Sequence, residues 1–187
     1  RACQKGHLKV VNMLLAVDVI QVNQADSKGW TPLNVACHGG YSKVVELLLA
    51  VDDIQVNQAD DKGYAPLNIA SQEGHSKVVK MLLAADGIEV NQATNVEVTP
   101  LYVACQNGHF QAVRMLLDMD DIQVNQATND GWTPLNVACH GGHSKVVRML
   151  LAVAGIQFNQ ANGNGMTPFM IAVSNSHTAL VVLFLQR

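Results

Sequence analysis

Gly29-Trp30-Thr31-Pro32-Leu33-Asn34-Val35-Ala36-Cys37-His38-Gly39-Gly40 returns residue for residue as Gly131 to Gly142, 102 positions later. That interval is three periods of 34, and the five prolines Pro32, Pro66, Pro100, Pro134 and Pro168 follow one another at the same spacing. A fixed period of this length is the signature of a repeat architecture. The Trp30-Thr31-Pro32-Leu33 block recurs as Tyr64-Ala65-Pro66-Leu67, Val98-Thr99-Pro100-Leu101, Trp132-Thr133-Pro134-Leu135 and Met166-Thr167-Pro168-Phe169. Gly6-His7 recurs as Gly74-His75, Gly108-His109 and Gly142-His143, with Gly40-Tyr41 and Ser176-His177 as variants. Ile20 to Ala25 carries an Ile that returns at 54, 88, 122 and 156 and an Asn that returns at 57, 91, 125 and 159. The chain reads as a single array over 1–187: a partial repeat 1–24, repeats 25–58, 59–92, 93–126 and 127–160, and an incomplete terminal repeat 161–187. The identity of the two twelve-residue stretches is most simply a recent duplication.

Each unit has a physical reading. Thr31 before Pro32 is an N-cap with proline at the first helical position, where its missing N–H costs nothing. The Gly39-Gly40 pair stops that helix. Ser42 is expected to cap a second helix, in which Val44, Val45, Leu47, Leu48 and Leu49 form a wide apolar stripe. Ile54 and Val56 then suggest an extended segment, and Asp60 to Gly63 carries turn chemistry. Neither helix is long enough to stand alone, so the apolar faces must bury against the next unit.

Composition narrows the function classes. Hydrophobic residues make up 49% and charged residues 14% of 187 positions, against roughly 25% charged in an average soluble protein. Neutral polar side chains, 15 Asn and 14 Gln, fill the surface instead. A formal charge of -3, with the 12 Lys and Arg dispersed along the chain, argues against nucleic acid as a partner. The longest apolar run, Ala179 to Leu185, is far short of the roughly 18 residues a membrane span needs. No leader is visible, and the opening at Arg1, in mid-pattern, suggests a piece of a longer polypeptide.

The run Gly-Trp-Thr-Pro-Leu, Ala-Cys, Gly-Gly-His, Val-Val, Leu-Leu, Val-Asn resembles the ankyrin repeat over essentially the whole chain. The 34-residue unit exceeds the usual 33, with the extra residue in Val51 to Ile54. The usual His after Thr-Pro-Leu is Asn34, Asn68, Tyr102, Asn136 and Met170 here, so those sites must be satisfied differently. The resemblance implies an all-α, right-handed solenoid of antiparallel helix pairs with hairpin-like projecting loops. It also implies the family's ordinary activity, binding another protein in a concave groove.

Catalysis and metals find little support. Cys3, Cys37, Cys105 and Cys139 form one column, one per repeat. Stacked helices lie roughly 10 Å apart, beyond the reach of a disulfide, so free buried thiols in a reducing cytoplasm are expected. Cys105 with His109, or Cys139 with His143, is separated by a helix-ending Gly and lacks further ligands for zinc. Five His residues are the Gly-His landmark, whereas His38 and His140 sit near the first-helix ends. The pairs Asp52-Asp53 and Asp120-Asp121 lack the alternating oxygen ligands of a calcium loop. No nucleophile-base constellation or phosphate-binding glycine loop occurs, so no enzyme activity, cofactor or metal is expected.

The candidate protein-binding site is the column before Thr-Pro-Leu: Trp30, Tyr64, Val98, Trp132 and Met166. The resemblance places it facing the concave groove, and exposed aromatics mark interaction hot spots. The bland alternative is that these rings pack on the adjacent loop. Lys28, Asp61, Lys62, His38, Glu73, Asn107 and His140 belong to the polar rim, with Ser27, Asn95, Asn129, Asp130, Gln72 and Gln106. The Asn column is expected to bond neighbouring loop backbone. Only Asn91, preceded by Leu83 and Glu89-Val90, matches a hydroxylation pattern of the family. In repeat 93–126, Glu97 stands where its neighbours have Gly, a position open to positive φ, so its loop is expected to be reshaped; Tyr102 and Phe110 also depart. The last second helix has Val182 where earlier copies are polar, which raises self-association through that helix. A passive structural spacer is the rival reading. An enzymatic reading would need a catalytic domain elsewhere.

Overall fold

In the computed structural model, which describes residues 2–17 and 20–186, every regular element is helical. The opening Arg1 and the outermost array limits, 1 and 187, lie outside the described residues. A short 3-10 turn at Cys3–Lys5 precedes α1 (Leu8–Leu15). The pairs that follow are α2 (Pro32–His38) with α3 (Ser42–Leu49), and α4 (Pro66–Glu73) with α5 (Ser76–Leu83). Then come α6 (Pro100–Gln106) with α7 (Phe110–Leu117), α8 (Pro134–His140) with α9 (Ser144–Leu151), and α10 (Pro168–Ser174) with α11 (Thr178–Leu185). The even helices α2 to α10 stack in series as one layer, and the odd helices α1 to α11 stack as the second.

Pro32, Pro66, Pro100, Pro134 and Pro168 each open a first helix. The hydroxyls of Thr31, Thr99, Thr133 and Thr167 accept the N–H of Asn34, Tyr102, Asn136 and Met170, satisfying one orphan donor at each start. Ala65 has no oxygen to offer its helix; there the Asn68 Oδ1 accepts the Ala65 N–H at 3.1 Å. The second helices start differently from expectation. Ser42, Ser76 and Ser144 are the first helical residues rather than caps, and Tyr41, His75 and His143 precede them without a side-chain cap bond.

Those His rings serve a longer-range purpose. Nε2 of His75, His109, His143 and His177 lies 2.9–3.0 Å from the carbonyl oxygens of His38, Gln72, Gln106 and His140, respectively. Each ring ties the turn of one repeat to the first-helix end of the repeat before it. The approach needs glycine: a Cβ on Gly74 would meet His109 Nδ1 at 2.5 Å.

The loops are turns, and no strand occurs among the described residues. The stretch expected to extend through Ile54 and Val56 is folded into two tight turns, closed by Ile54 N–H to Val51 O and Gln58 N–H to Gln55 O. The projecting loop closes through Asp26 N–H to Trp30 O at 3.0 Å. Ladders of identical side chains fill the core. Leu33, Leu67, Leu101 and Leu135 come from the first helices, and Leu48, Leu82, Leu116, Leu150 and Leu180 from the second; all are at most 1% exposed. Burial of this kind stabilises a helix only through its neighbours, the expected energetics of a solenoid.

Candidate functional site

Asp26 positions the first groove aromatic. Its carboxylate accepts the N–H of Lys28 at 2.8 Å and of Trp30 at 3.0 Å, an Asx turn that aims the Trp30 backbone. These backbone donors hold the Asp26 carboxyl below its ordinary value. Asp60 does the same for Lys62 and Tyr64, Thr94 for Val98, Thr128 for Trp132, and Asn162 for Asn164 and Met166. The column Asp26, Asp60, Thr94, Thr128, Asn162 was missed in the sequence reading. Its signal was present: a short side chain with an acceptor oxygen recurring four residues before the aromatic column.

Trp30, Tyr64, Val98, Trp132 and Met166 are half-buried and packed against the core, which corrects the expectation of freely exposed rings. The buried part of each side chain packs on the core. Trp30 meets His38 edge to face at 5.5 Å, and Trp132 meets His140 at 5.6 Å. Each indole thereby braces the helix-end imidazole of its own repeat.

Lys28, Trp30, His38, Asp61, Lys62 and Tyr64 line one concavity together with Gln72. Glu73 does not line it, but its Oε1 lies 3.5 Å from His38 Nδ1, linking residues of successive repeats. Val98, Asn107, Trp132, His140 and Met166 do not line this concavity; they continue the same columns along the later repeats. Asn107 closes α6, donating from Nδ2 to Val103 O at 2.9 Å, and His140 Nδ1 is 3.0 Å from Asn175 Nδ2.

Backbone bonds knit the loop tips into a ridge: Asp61 N–H to Lys28 O, Asn95 N–H to Lys62 O, and Gly163 N–H to Asp130 O. No equivalent bond joins Val96 to Asn129. The break falls beside Glu97, which adopts φ 62°, the left-handed conformation its glycine counterparts Gly29, Gly63, Gly131 and Gly165 take without strain. The loop itself is not reshaped: it keeps its neighbours' closure through Thr94 N–H to Val98 O and Glu97 N–H to Thr94 O, and only the tip bond is missing.

The Asn columns tie each repeat to the next. Asn57 donates to Gly87 O at 2.7 Å and accepts the Glu89 N–H at 3.1 Å. Asn91 likewise donates to Asp121 O at 2.7 Å and accepts the Gln123 N–H at 2.9 Å, so both ends of its amide are engaged. Asn68, in the position usually held by His, is fully buried and donates to Gln92 O and Val98 O, both at 3.1 Å.

Cys37, Cys105 and Cys139 are buried and free, and Cys3 is half-buried and free. Burial raises the thiols of Cys37 and Cys105 far above their ordinary value and pushes Cys139 up to about 12. Among the described residues no group of three or more His, Cys, Asp or Glu is arranged to hold a metal ion. No helix among them is long and apolar enough to cross a membrane.

With a proline-started first helix and a paired second helix recurring along the array, comparison with known proteins gives a consistent answer. The family model for ankyrin repeats (three copies) matches residues 1–94 and 91–162. The chain belongs to the ankyrin repeat family. It is 59% identical over 32 residues to the ankyrin repeat protein YahD of Escherichia coli (strain K12), a match covering 17% of this chain and 16% of that protein. The chain therefore spans less than two thirds of this curated relative's length. Ankyrin repeats generally mediate protein–protein interaction and are generally non-catalytic.

Proposed function

We propose that this array is a non-catalytic scaffold that binds a partner protein through its concave groove and loop tips. The carrying observation is the convergence of Trp30, Tyr64, Lys28, Asp61, Lys62 and His38 on one concavity, each held by backbone bonds or ring packing. Half-buried rings on rigid turns are preorganised, so little conformational entropy is lost when a partner covers their remaining faces. Val98, Glu73, Asn107, Trp132, His140 and Met166 extend the surface along the later repeats. The reading places the protein in the reducing cytoplasm, which suits four free thiols, and assigns no cofactor. Hydroxylation of Asn91 belongs to this reading; intact mass showing no added oxygen would remove it.

Affinity capture from lysate of the source cell tests the site. The parent chain is compared with a Trp30→Ala, Tyr64→Ala, Trp132→Ala variant of equal helicity by circular dichroism. A protein retained only by the parent supports the groove; identical recoveries, or none, favour the spacer reading. Self-association is a second reading, favoured by Val182 at 47% and Leu185 at 73% exposure on α11. Light scattering of the parent against Val182→Lys decides it, an assembly lost in the variant being the supporting result.

A further inference from the structure

The fold gathers charges that the sequence disperses. On α5, α7 and α9, three adjacent second helices, the exposed charged residues are Lys77, Lys80, Arg114, Lys145 and Arg148, with no acidic residue among them. This corrects the reading of the Lys and Arg as scattered. Lys80, Arg114 and Arg148 occupy one column, roughly 10 Å between neighbours at ordinary helix spacing. Lys77 and Lys145 lie one helical turn before Lys80 and Arg148, on the same face. None of the five has a salt-bridge partner among the described residues.

Two observations indicate that this stripe is not there for stability. Lys77 and Lys145 stand in the first turns of α5 and α9, where no acidic residue is found and where a cation opposes the helix dipole. Phe110, in a column that elsewhere holds Leu8, Ser42, Ser76, Ser144 and Thr178, is 40% exposed in the middle of the stripe. Its ring carries Lys145 Nζ 4.5 Å from the centroid, a cation–π contact over one ring face. The exposed Asp86, Glu89, Asp118, Asp120 and Asp121 border the stripe just past the ends of α5 and α7. The basic band is thus only about one eight-residue helix wide, roughly 12 Å.

We propose that the outer faces of α5, α7 and α9 form a second interaction surface, for an acidic polypeptide segment of a partner protein that seats one apolar side chain on Phe110. Unpaired cations at regular spacing complement carboxylates along a single strand or helix. The acidic border excludes broader polyanions: a nucleic acid duplex or an anionic bilayer covering the band would also be pressed against the five carboxylates. A narrow segment avoids them. This surface lies on the second-helix layer and is independent of the groove reading.

The test is fluorescence anisotropy of a labelled peptide alternating Glu and Gly with one central Leu, titrated with the full chain. Saturable binding is expected, weakening as salt rises. It should weaken about tenfold in Lys80→Gln, Arg114→Gln, Arg148→Gln, as the loss of three exposed ionic contacts implies. Lys77→Gln, Lys145→Gln provides a second set should the first fail to fold by circular dichroism. Phe110→Ser should weaken binding, and Trp30→Ala, Trp132→Ala should leave it unchanged. The proposal is overturned by no saturable binding, by equal binding to the Gln variants, or by loss in the tryptophan variant. Tighter binding of short duplex DNA, or of phosphatidylserine vesicles, than of the peptide would equally overturn it.

Discussion

Replacing Asn68 with Ala removes three hydrogen bonds from a fully buried site: those from Nδ2 to Gln92 O and Val98 O, and that from the Ala65 N–H to Oδ1, each 3.1 Å. Each is worth roughly 0.5–1.5 kcal/mol net, with the upper end applying when the abandoned partner stays dry. Three together amount to about 2–4 kcal/mol. For a chain of this size that is a fall in Tm of roughly 5–15 °C. The loss should be centred on the interface between repeats 59–92 and 93–126, because each repeat is stabilised by its neighbours. Thermal unfolding followed by circular dichroism reads the total. Amide hydrogen exchange reads the location, with α4 and α6 losing more protection than α10. Asn95→Ala, which removes one exposed tip bond to Asp61 O, should cost less than about 0.5 kcal/mol. A loss below about 0.5 kcal/mol for Asn68→Ala, or equal loss in both variants, would refute the claim that the buried Asn68 amide holds this site through its three bonds.

Five further outcomes are expected. Glu97→Gly should stabilise the chain by about 1 kcal/mol in denaturant unfolding, since Glu97 holds φ 62° where glycine is unstrained, and Ala65→Thr should add about 1 kcal/mol by restoring the cap its neighbours have. Ellman's reagent should label Cys3 alone in the native protein and all four cysteines after unfolding. Because burial raises the folded thiol values, the unfolded chain ionises first, and stability should fall as pH rises above the ordinary thiol value of 9.0. Asp26 is lowered by its backbone donors, so its contribution is full above the ordinary 3.8 and is lost as pH falls below it; Asp26→Asn should flatten that part of the acid limb.

The repeat period, the helix pairs and the Thr-Pro helix starts were legible because they depend on local rules: φ at proline, capping oxygens, and apolar periodicity. The extended segment at Ile54 and Val56 was misjudged because two apolar residues two apart also suit consecutive turns, and only the following backbone decides between them. Ser42 was misplaced by one position because Gly40 and Tyr41 carry the chain into the helix, and a neighbouring His or Tyr ring fixes that turn in space. The exposure of Trp30 and Trp132 depends on the adjacent loop and on His38 and His140, contacts between residues whose packing a column of letters does not reveal. The Asp26 column could have been read from spacing. The basic column Lys80, Arg114 and Arg148 could have been read in the same way, being 34 residues apart; that no ion pair covers it is visible only in the folded array.

The groove itself is tested most directly by hydrogen exchange on the complex with a partner recovered by the parent chain. Binding in the groove predicts slowed exchange at the loop tips 26–30, 60–64 and 94–98 and at the helix ends near His38 and Glu73, with α11 unchanged. Protection confined to α11, or an absence of protection at all three tips, would contradict it.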